Sequence, residues 1–360
     1  MFAIWVYMDI IMDTPELQIL PEHLKLISEI DEFKGKWHAL SNLTPDRLEL
    51  LKRVATIESV GSSTRIEGAR LTDSEVEKLL SGLSITSFQS RDEEEVAGYA
   101  EAMELVLNSY DDVQTSENHI KQIHQILLKY SSKDARHRGE YKKFPNHVEA
   151  FADDGRSLGI IFETASPFET PFKMADLIEW FTMEWEKREF HHLLLVAIFL
   201  LHFLAIHPFQ DGNGRLSRIL TTLLLLKSGY SHVSYSSLER VIEDNREQYY
   251  LALRRVQSTL YADNSTINDW ILFFLASLRK QISVLESKIE AEKLVTQLPP
   301  LSQDIIQIAK QHGKITVRDV GNITGANRNT IKVHIKELVR KGRLERVGAG
   351  KGTWYKLARS

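Results

Sequence analysis

Residues His207–Arg218 read HPFQDGNGRLSR and lie between two very apolar stretches, His192–Ile206 and Leu216–Leu226. Each stretch is long enough for a helix buried on most sides, so the polar segment between them reads as a loop held by two rigid elements. Gly212 and Gly214 allow a tight turn and close approach of a ligand. Successive backbone N–H groups at the start of the helix from Arg215 form an anion-binding nest. Arg215 and Arg218 lie three apart, on one side of that helix, and add two guanidinium groups suited to polyphosphate. Asp211 is a hard oxygen ligand suited to Mg²⁺ bridging phosphates, and His207 can take a proton near neutral pH. Together these describe transfer of a phosphorus group to a hydroxyl. The same spacing also admits a plain helix–turn–helix corner in which the Asp and Arg side chains merely pair.

Working outward, most of residues 16–290 reads as helix. Apolar residues recur at spacings of three and four in Leu51–Ile57, Val76–Leu83, Val96–Leu107, Ile120–Leu128 and Leu177–Trp185. Between Gly139 and Pro171 the pattern changes: HVEAF, then DDGR, then SLGIIF, is the signal for two short strands around an Asp-Gly turn. Ile282–Val295 reads as a charged amphipathic helix that QLPPLSQ ends. Beyond it, Ile305–Gln311, ITVRDVGNITG and Arg328–Arg340 read as three helices, and GRLERVGAGKGTWYKL as two strands around a Gly-rich tip. That is the winged-helix layout.

The length of 360 residues fits two or three domains, and 43% apolar with 26% charged residues excludes a disordered or collagenous chain. With no cysteine, thiol catalysis, disulfides and Cys-ligated metal sites are excluded, and a reducing compartment fits; the chain is expected in the cytoplasm. The net charge of −4 hides an asymmetry. Residues 301–360 hold 13 Lys and Arg against 4 Asp and Glu, leaving 32 against 45 in residues 1–300, or +9 against −13. A basic tail module on an acidic body points to an anionic partner for the tail. No segment approaches the roughly 18 uninterrupted apolar residues of a membrane span. The opening MFAIWVYM lacks a basic start and a small-residue cleavage site and reads as a packing segment rather than a signal peptide.

At every defined position HPFQDGNGRLSR matches HPFx[D/E]GNGRxxR, the signature of Fic proteins. About residues 20–290 resemble a Fic protein with its usual N-terminal helical extension, carried here by IDEFKGKW, LKRVATIESVGSSTRIEG and LTDSEVEKLL. Fic proteins are mostly adenylyltransferases that move AMP from ATP to a Ser, Thr or Tyr hydroxyl of a protein. The resemblance implies a mainly α fold: a helical core with a β-hairpin flap, an N-terminal helical extension and a C-terminal winged helix. It divides the chain into an extension at 1–110, a catalytic core at 111–290, a linker at 291–300 and the winged helix at 301–360. It implies that His207 deprotonates the target hydroxyl and that Asp211 holds Mg²⁺ against the α- and β-phosphates. Asn213 and the amides of Gly212 and Gly214 would cradle phosphate oxygens, with Arg215 at the β-phosphate region and Arg218 at the γ-phosphate. The hairpin at about 146–163 would register the target segment by strand addition.

Ser63-Thr64-Arg65-Ile66-Glu67-Gly68 matches the Fic inhibitory motif [S/T]xxxE[G/N], which implies an ion pair between Glu67 and Arg218 that takes the arginine from the γ-phosphate. A helix-end Glu before a C-terminal Gly is the plainer alternative. In this family a helix after the motif walls the adenine and ribose pocket; in SSLERVIEDNREQYYLALRRVQ the side chains to examine are Asn245, Tyr249 and Tyr250, with Leu253, although Tyr250 and Leu253 also sit at core spacing. The resemblance thus implies an ATP- and Mg²⁺-dependent, autoinhibited protein adenylyltransferase acting on hydroxyl side chains, its own included. Removal of AMP, transfer of UMP, phosphocholine or phosphate, and a nucleotide-sensing DNA-binding regulator are the rivals. In the winged helix Arg328, Asn329, Thr330, Lys332, Lys336 and Arg340 would face DNA, a protein-binding module being the alternative. No membrane contact is expected, and a homodimer is one assembly the sequence allows.

Overall fold

The computed structural model of the chain describes residues 19–39, 45–82, 88–146, 148–151, 157–162, 164–257, 260, 267–296, 298–348 and 350–358. The opening MFAIWVYM and the Asp-Gly turn of the hairpin lie outside the described residues. The chain forms two compact units, Met1–Val284 and Leu285–Ser360, and the division falls inside one long helix.

In the first unit α1 (Pro21–Ala39), α2 (Pro45–Ile66), α3 (Asp73–Ser81), α4 (Arg91–Ser109) and α5 (Glu117–Leu127) precede a hairpin of β1 (Val148–Phe151) and β2 (Ser157–Phe162). Then come α6 (Thr170–Lys187), α7 (His192–Ile206), α8 (Asn213–Lys227), a 3₁₀ turn (Ser231–Tyr235), α9 (Leu238–Asp244), α10 (Arg246–Gln257) and the part of α11 (Ile267–Thr296) up to Val284. The helix starts are written locally. Thr72 and Glu75 close a reciprocal capping box on α3, and Ser90, Ser116 and Ser237 accept N–H groups at the starts of α4, α5 and α9.

α7 is apolar on every side because it is the central element; Leu193 to Leu201 are all buried, and so is almost all of α8. Burying side chains of this size is worth about 1.5–3 kcal/mol each, so these two helices anchor both ends of the loop between them. α4 crosses α5 closely at Gly98, where an added Cβ would stand 2.1 Å from the Leu127 carbonyl oxygen. The hairpin is antiparallel, pairing Val148 with Phe162 and Glu149 with Ile160, with irregularities in register after Val148 and after Ala150.

The second unit contains α12 (Pro300–His312), α13 (Val317–Thr324), α14 (Arg328–Arg340), β3 (Leu344–Val347) and β4 (Trp354–Leu357). Ile305, Ile308, Ile315, Val320, Ile331, Ile335, Leu338 and Leu344 make its core. β3 pairs with β4 from Leu344↔Leu357 to Val347↔Trp354, and Ile315 bridges Tyr355. Thr316 with Asp319 caps α13 and Asn327 caps α14. Among the described residues no helix is long and apolar enough to cross a membrane.

Candidate active site

The loop from His207 to Gly212 is built by its own side chains. His207 caps α7 in the left-handed region at φ 51°, a conformation rare for a side chain other than glycine. Its Nδ1 lies 3.3 Å from the Leu204 carbonyl; donating there leaves the lone pair on Nε2, the tautomer a base needs. Burial is the main cause that brings the imidazole down to about 4, with Lys142 adding to it, so the ring is neutral at physiological pH. Asn213 folds back on the loop. Its Oδ1 accepts the Phe209 N–H at 2.9 Å and its Nδ2 donates to the Phe209 carbonyl at 2.7 Å. The side chain is thereby committed to shaping the turn, and what Asn213 offers a ligand is its backbone N–H. Phe209 is fully buried and stacks on His124 with ring centroids 3.8 Å apart.

His124, which reads from the sequence as an ordinary structural histidine, meets the loop directly. Its Nδ1 accepts the Gly139 N–H at 2.9 Å, so its Nε2 donates to the Asp211 carbonyl at 3.0 Å. Burial depresses it to about 4, in keeping with a neutral ring that ties α5 and the Gly139 turn to the loop.

Asp211 turns Oδ1 to the Gly212 N–H at 2.6 Å and to Arg215 Nη2 at 3.3 Å, while Oδ2 is met by Arg91 at 3.4 Å. Burial alone would raise this carboxyl, but Arg215, the Gly212 N–H and Arg91 together hold it below the ordinary range. Arg215 is 2% exposed and stands 3.1 Å from Glu95 Oε2. Glu95 reads from sequence as part of a solvated acidic helix start; instead it is buried and joins Arg91 and Arg215.

The carboxylate of Glu67 lies at the other side of the nest. Arg218 donates from Nε to Ser63 Oγ at 2.8 Å, and from Nη2 to the Ser63 carbonyl at 3.0 Å and Glu67 Oε1 at 2.7 Å. A Cβ built on Gly214 would stand 2.2 Å from Glu67 Oε1, so the carboxylate rests on the N-terminal turn of α8. Anions are favoured there by unpaired N–H groups and the helix dipole. Burial works to raise the Glu67 carboxyl, but Arg218 first, then Arg215 and His207, hold it below its usual value. The turn itself is pinned by Arg65, which reaches Glu243 Oε1 at 2.6 Å, the Leu71 carbonyl at 2.9 Å and Asp73 at 2.9 Å. Gly68 then takes φ 107°, which a side chain would strain.

The residues expected around the base divide. Tyr249 is 4% exposed and packs on Tyr250, Trp270 and Phe273, with Arg218 electrostatically close. It helps line a small cavity with Leu204, Ser217, Arg218 and Ile242. Asn245 is exposed, and its Nδ2 donates to the Val241 carbonyl at 2.7 Å to finish α9, so it is not brought into that cavity. Leu253 is core.

A helical core with one antiparallel hairpin beside a histidine-capped helix and a glycine-rich anion turn defines a class of fold, and comparisons with known proteins place it. Residues 114–225 match the model of the Fic/DOC family, and residues 298–345 match the winged helix-turn-helix DNA-binding model. The chain carries a Fic domain with an N-terminal helical extension and a C-terminal winged helix. It resembles the protein adenylyltransferase Fic of Drosophila mojavensis, at 25% identity over 240 residues, 66% of this chain and 43% of that one. A probable protein adenylyltransferase of Aquifex aeolicus is 31% identical over 100 residues, 28% of each chain. The chain spans less than half the length of these relatives. In fold it resembles a Fic family protein from Desulfovibrio desulfuricans, with a TM-score of 0.61, 24% identity and coverage of 96% of this chain and 98% of that one.

Proposed function

We propose that the protein transfers AMP from ATP to a hydroxyl side chain of a protein, and that Glu67 holds it in a restrained state. The reading is supported above all by one juxtaposition: a base-competent His207 beside an α8 N-terminus against which the Glu67 carboxylate lies, paired with Arg218. That the relatives are protein adenylyltransferases is consistent with it.

In the reaction the phosphates of ATP occupy the nest of Asn213 and Gly214 N–H groups, joined by the Gly212 N–H when it leaves Asp211 Oδ1, with Arg218 on the terminal phosphate once Glu67 has withdrawn. Arg215, buried between Glu95 and Asp211, sets the position of Asp211 as much as it adds charge. His207 Nε2 takes the proton of the incoming hydroxyl. The hydroxyl oxygen bonds to the α-phosphorus, the bond from that phosphorus to the bridging oxygen breaks, and pyrophosphate leaves. Placement and charge neutralisation supply the catalysis; the protein itself provides no nucleophile, as a chain without cysteine allows.

Asp211 fits a hard cation, because its side chain keeps 35% exposure and its Oδ2, met by Arg91 at 3.4 Å, is less committed than Oδ1, which the Gly212 N–H holds at 2.6 Å. Among the described residues no group of three His, Asp or Glu side chains gathers as a metal cage. Mg²⁺ held by one carboxylate with substrate phosphates completing the shell suits that donor set. When bound, the ion neutralises phosphate charge.

The winged helix is proposed to bind DNA. Arg328, Asn329, Thr330, Lys332 and Lys336 are exposed along α14, the helix that this architecture lays in the major groove. Intact-mass measurement after incubation with ATP and Mg²⁺ tests the transfer. Addition of one AMP per modified hydroxyl, lost in His207→Ala, is expected. Addition of phosphate or no addition by Glu67→Gly would reject the assignment.

A further inference from the structure

Lys142 stands between the Gly139 turn and the hairpin, and the transfer scheme gives it no part. It is 3% exposed. A buried ammonium is costly unless each donor finds an acceptor. Here Nζ donates to Asn146 Oδ1 at 2.8 Å, Thr164 Oγ1 at 2.8 Å and the Ile206 carbonyl at 3.0 Å, which uses all three donors. All three acceptors are uncharged, and the ion pairs among the described residues include none to Lys142; Glu169 and Lys173 act on it only from a distance.

The three acceptors come from three places. Asn146 leads into β1, Thr164 follows β2, and Ile206 is the last residue of α7, next to His207. The set is cross-tied. Asn146 Nδ2 donates to the Phe209 carbonyl at 2.6 Å, Thr164 Oγ1 donates to the Asn146 carbonyl at 2.9 Å, and the Lys142 N–H donates to the Pro208 carbonyl at 2.9 Å.

We propose that Lys142 is a positioning residue for the transfer: its ammonium clamps both roots of the hairpin to the end of the helix that presents His207, holding the acceptor-registering strands and the base in one fixed relation. The inference rests on the transfer reading for its meaning, but the clamp has a signature of its own. The groups facing His207 are Lys142 from the segment before β1, the Leu204 carbonyl from α7, Glu67 from the turn after α2 and Asp211 from the loop. After burial, the Lys142 charge is what lowers the imidazole, while the other three oppose it. Burial brings Lys142 itself down to about 8, Glu169 opposing and Lys173 adding, so its charge is present at neutral pH.

The test uses Lys142→Met, Lys142→Gln and Lys142→Arg in the full chain. The first readout is an NMR titration of ¹³C-labelled histidines, the His207 resonance being the one lost in His207→Ala. The His207 pKa is expected to rise by roughly one unit in both neutral variants and to stay put in Lys142→Arg. The second readout, in a Glu67→Gly background, is steady-state transfer. For Lys142→Met, kcat is expected to fall by about 10–100-fold with the KM for ATP within about twofold, and Lys142→Arg to recover most of it. An unmoved His207 titration in both neutral variants overturns the clamp, whether or not AMP is transferred. So does a loss shared equally by Met and Arg with the KM for ATP rising in step. A shifted titration in a Glu67→Gly protein that transfers nothing supports the clamp and rejects the transfer reading.

Discussion

Replacing Glu67 by glycine removes the carboxylate from the α8 anion seat and frees the Nη2 edge of Arg218. The pair is 2.7 Å apart, with Arg218 4% and Glu67 33% exposed. Two charges about 4 Å apart attract by about 4 kcal/mol at an effective dielectric of about 20. Exposure on the Glu67 side, and the solvation both groups gave up, bring the net value to about 1.5–3 kcal/mol. A phosphate that must displace this contact loses about that much, and each 1.4 kcal/mol is about tenfold. Transfer by Glu67→Gly is therefore expected to exceed that of the wild type by about 10–100-fold in kcat/KM. The assay is the initial rate of label incorporation from α-labelled ATP by wild type, Glu67→Gly and Glu67→Gly/His207→Ala at equal concentration. Labelling at or below the wild-type rate, or labelling that survives loss of His207, would refute the reasoning. The same change leaves the buried Arg218 without a carboxylate partner, with Ser63 and the neighbouring Tyr249 remaining, so stability should drop by about 1–3 kcal/mol. A lowered Tm that ATP with Mg²⁺ partly restores is the companion measurement.

Gly98→Ala should destabilise the first unit by about 1–3 kcal/mol, because the new methyl meets the Leu127 backbone, which has no room to yield; thermal melting checks it. Gly214→Ala places a methyl where Glu67 Oε1 now rests, so it should cut labelling about tenfold or more even when combined with Glu67→Gly. The pH profile of kcat/KM in the Glu67→Gly protein follows from His207. Its imidazole is depressed to about 4, the base must be unprotonated, and activity is lost as pH falls through that value. A plateau extending down to about pH 5 is expected, and an acid limb near the ordinary histidine value of about 6.5 would contradict the burial argument. In the winged helix, Lys332→Ala should weaken binding to mixed duplex DNA and reduce the slope of log K against log salt by about one. Absence of any binding by the wild type at low salt would remove the DNA reading.

The mainly helical fold was legible because its signals are local. Apolar spacing marked α2, α4, α5 and α6, two unbroken apolar runs marked α7 and α8, and the change to HVEAF and SLGIIF marked the hairpin. The winged helix was legible for the same reason, its caps and glycines lying within a few residues of the elements they bound. The dozen residues of HPFQDGNGRLSR marked the turn and the helix start, since a left-handed turn, a helix start and two arginines are all encoded side by side.

Only the tertiary structure decided what those side chains do with one another. The Arg218–Glu67 contact joins residues 151 apart and was implied only by the family resemblance of SSTRIEG, and Lys142 finds its acceptors 4, 22 and 64 residues away. A sequence window carries no trace of such distances, because loop closure brings any surface lysine or glutamate to any place at similar entropic cost. So the sequence could say that Glu95 starts a helix but not that it is buried against Arg215. It could count His124 but not stack it on Phe209, and it could propose Asn245 beside a nucleotide without showing that its amide finishes α9. Chemistry spelled by adjacent residues is determined along the chain; chemistry that depends on which buried charge meets which partner is determined only when the helices pack.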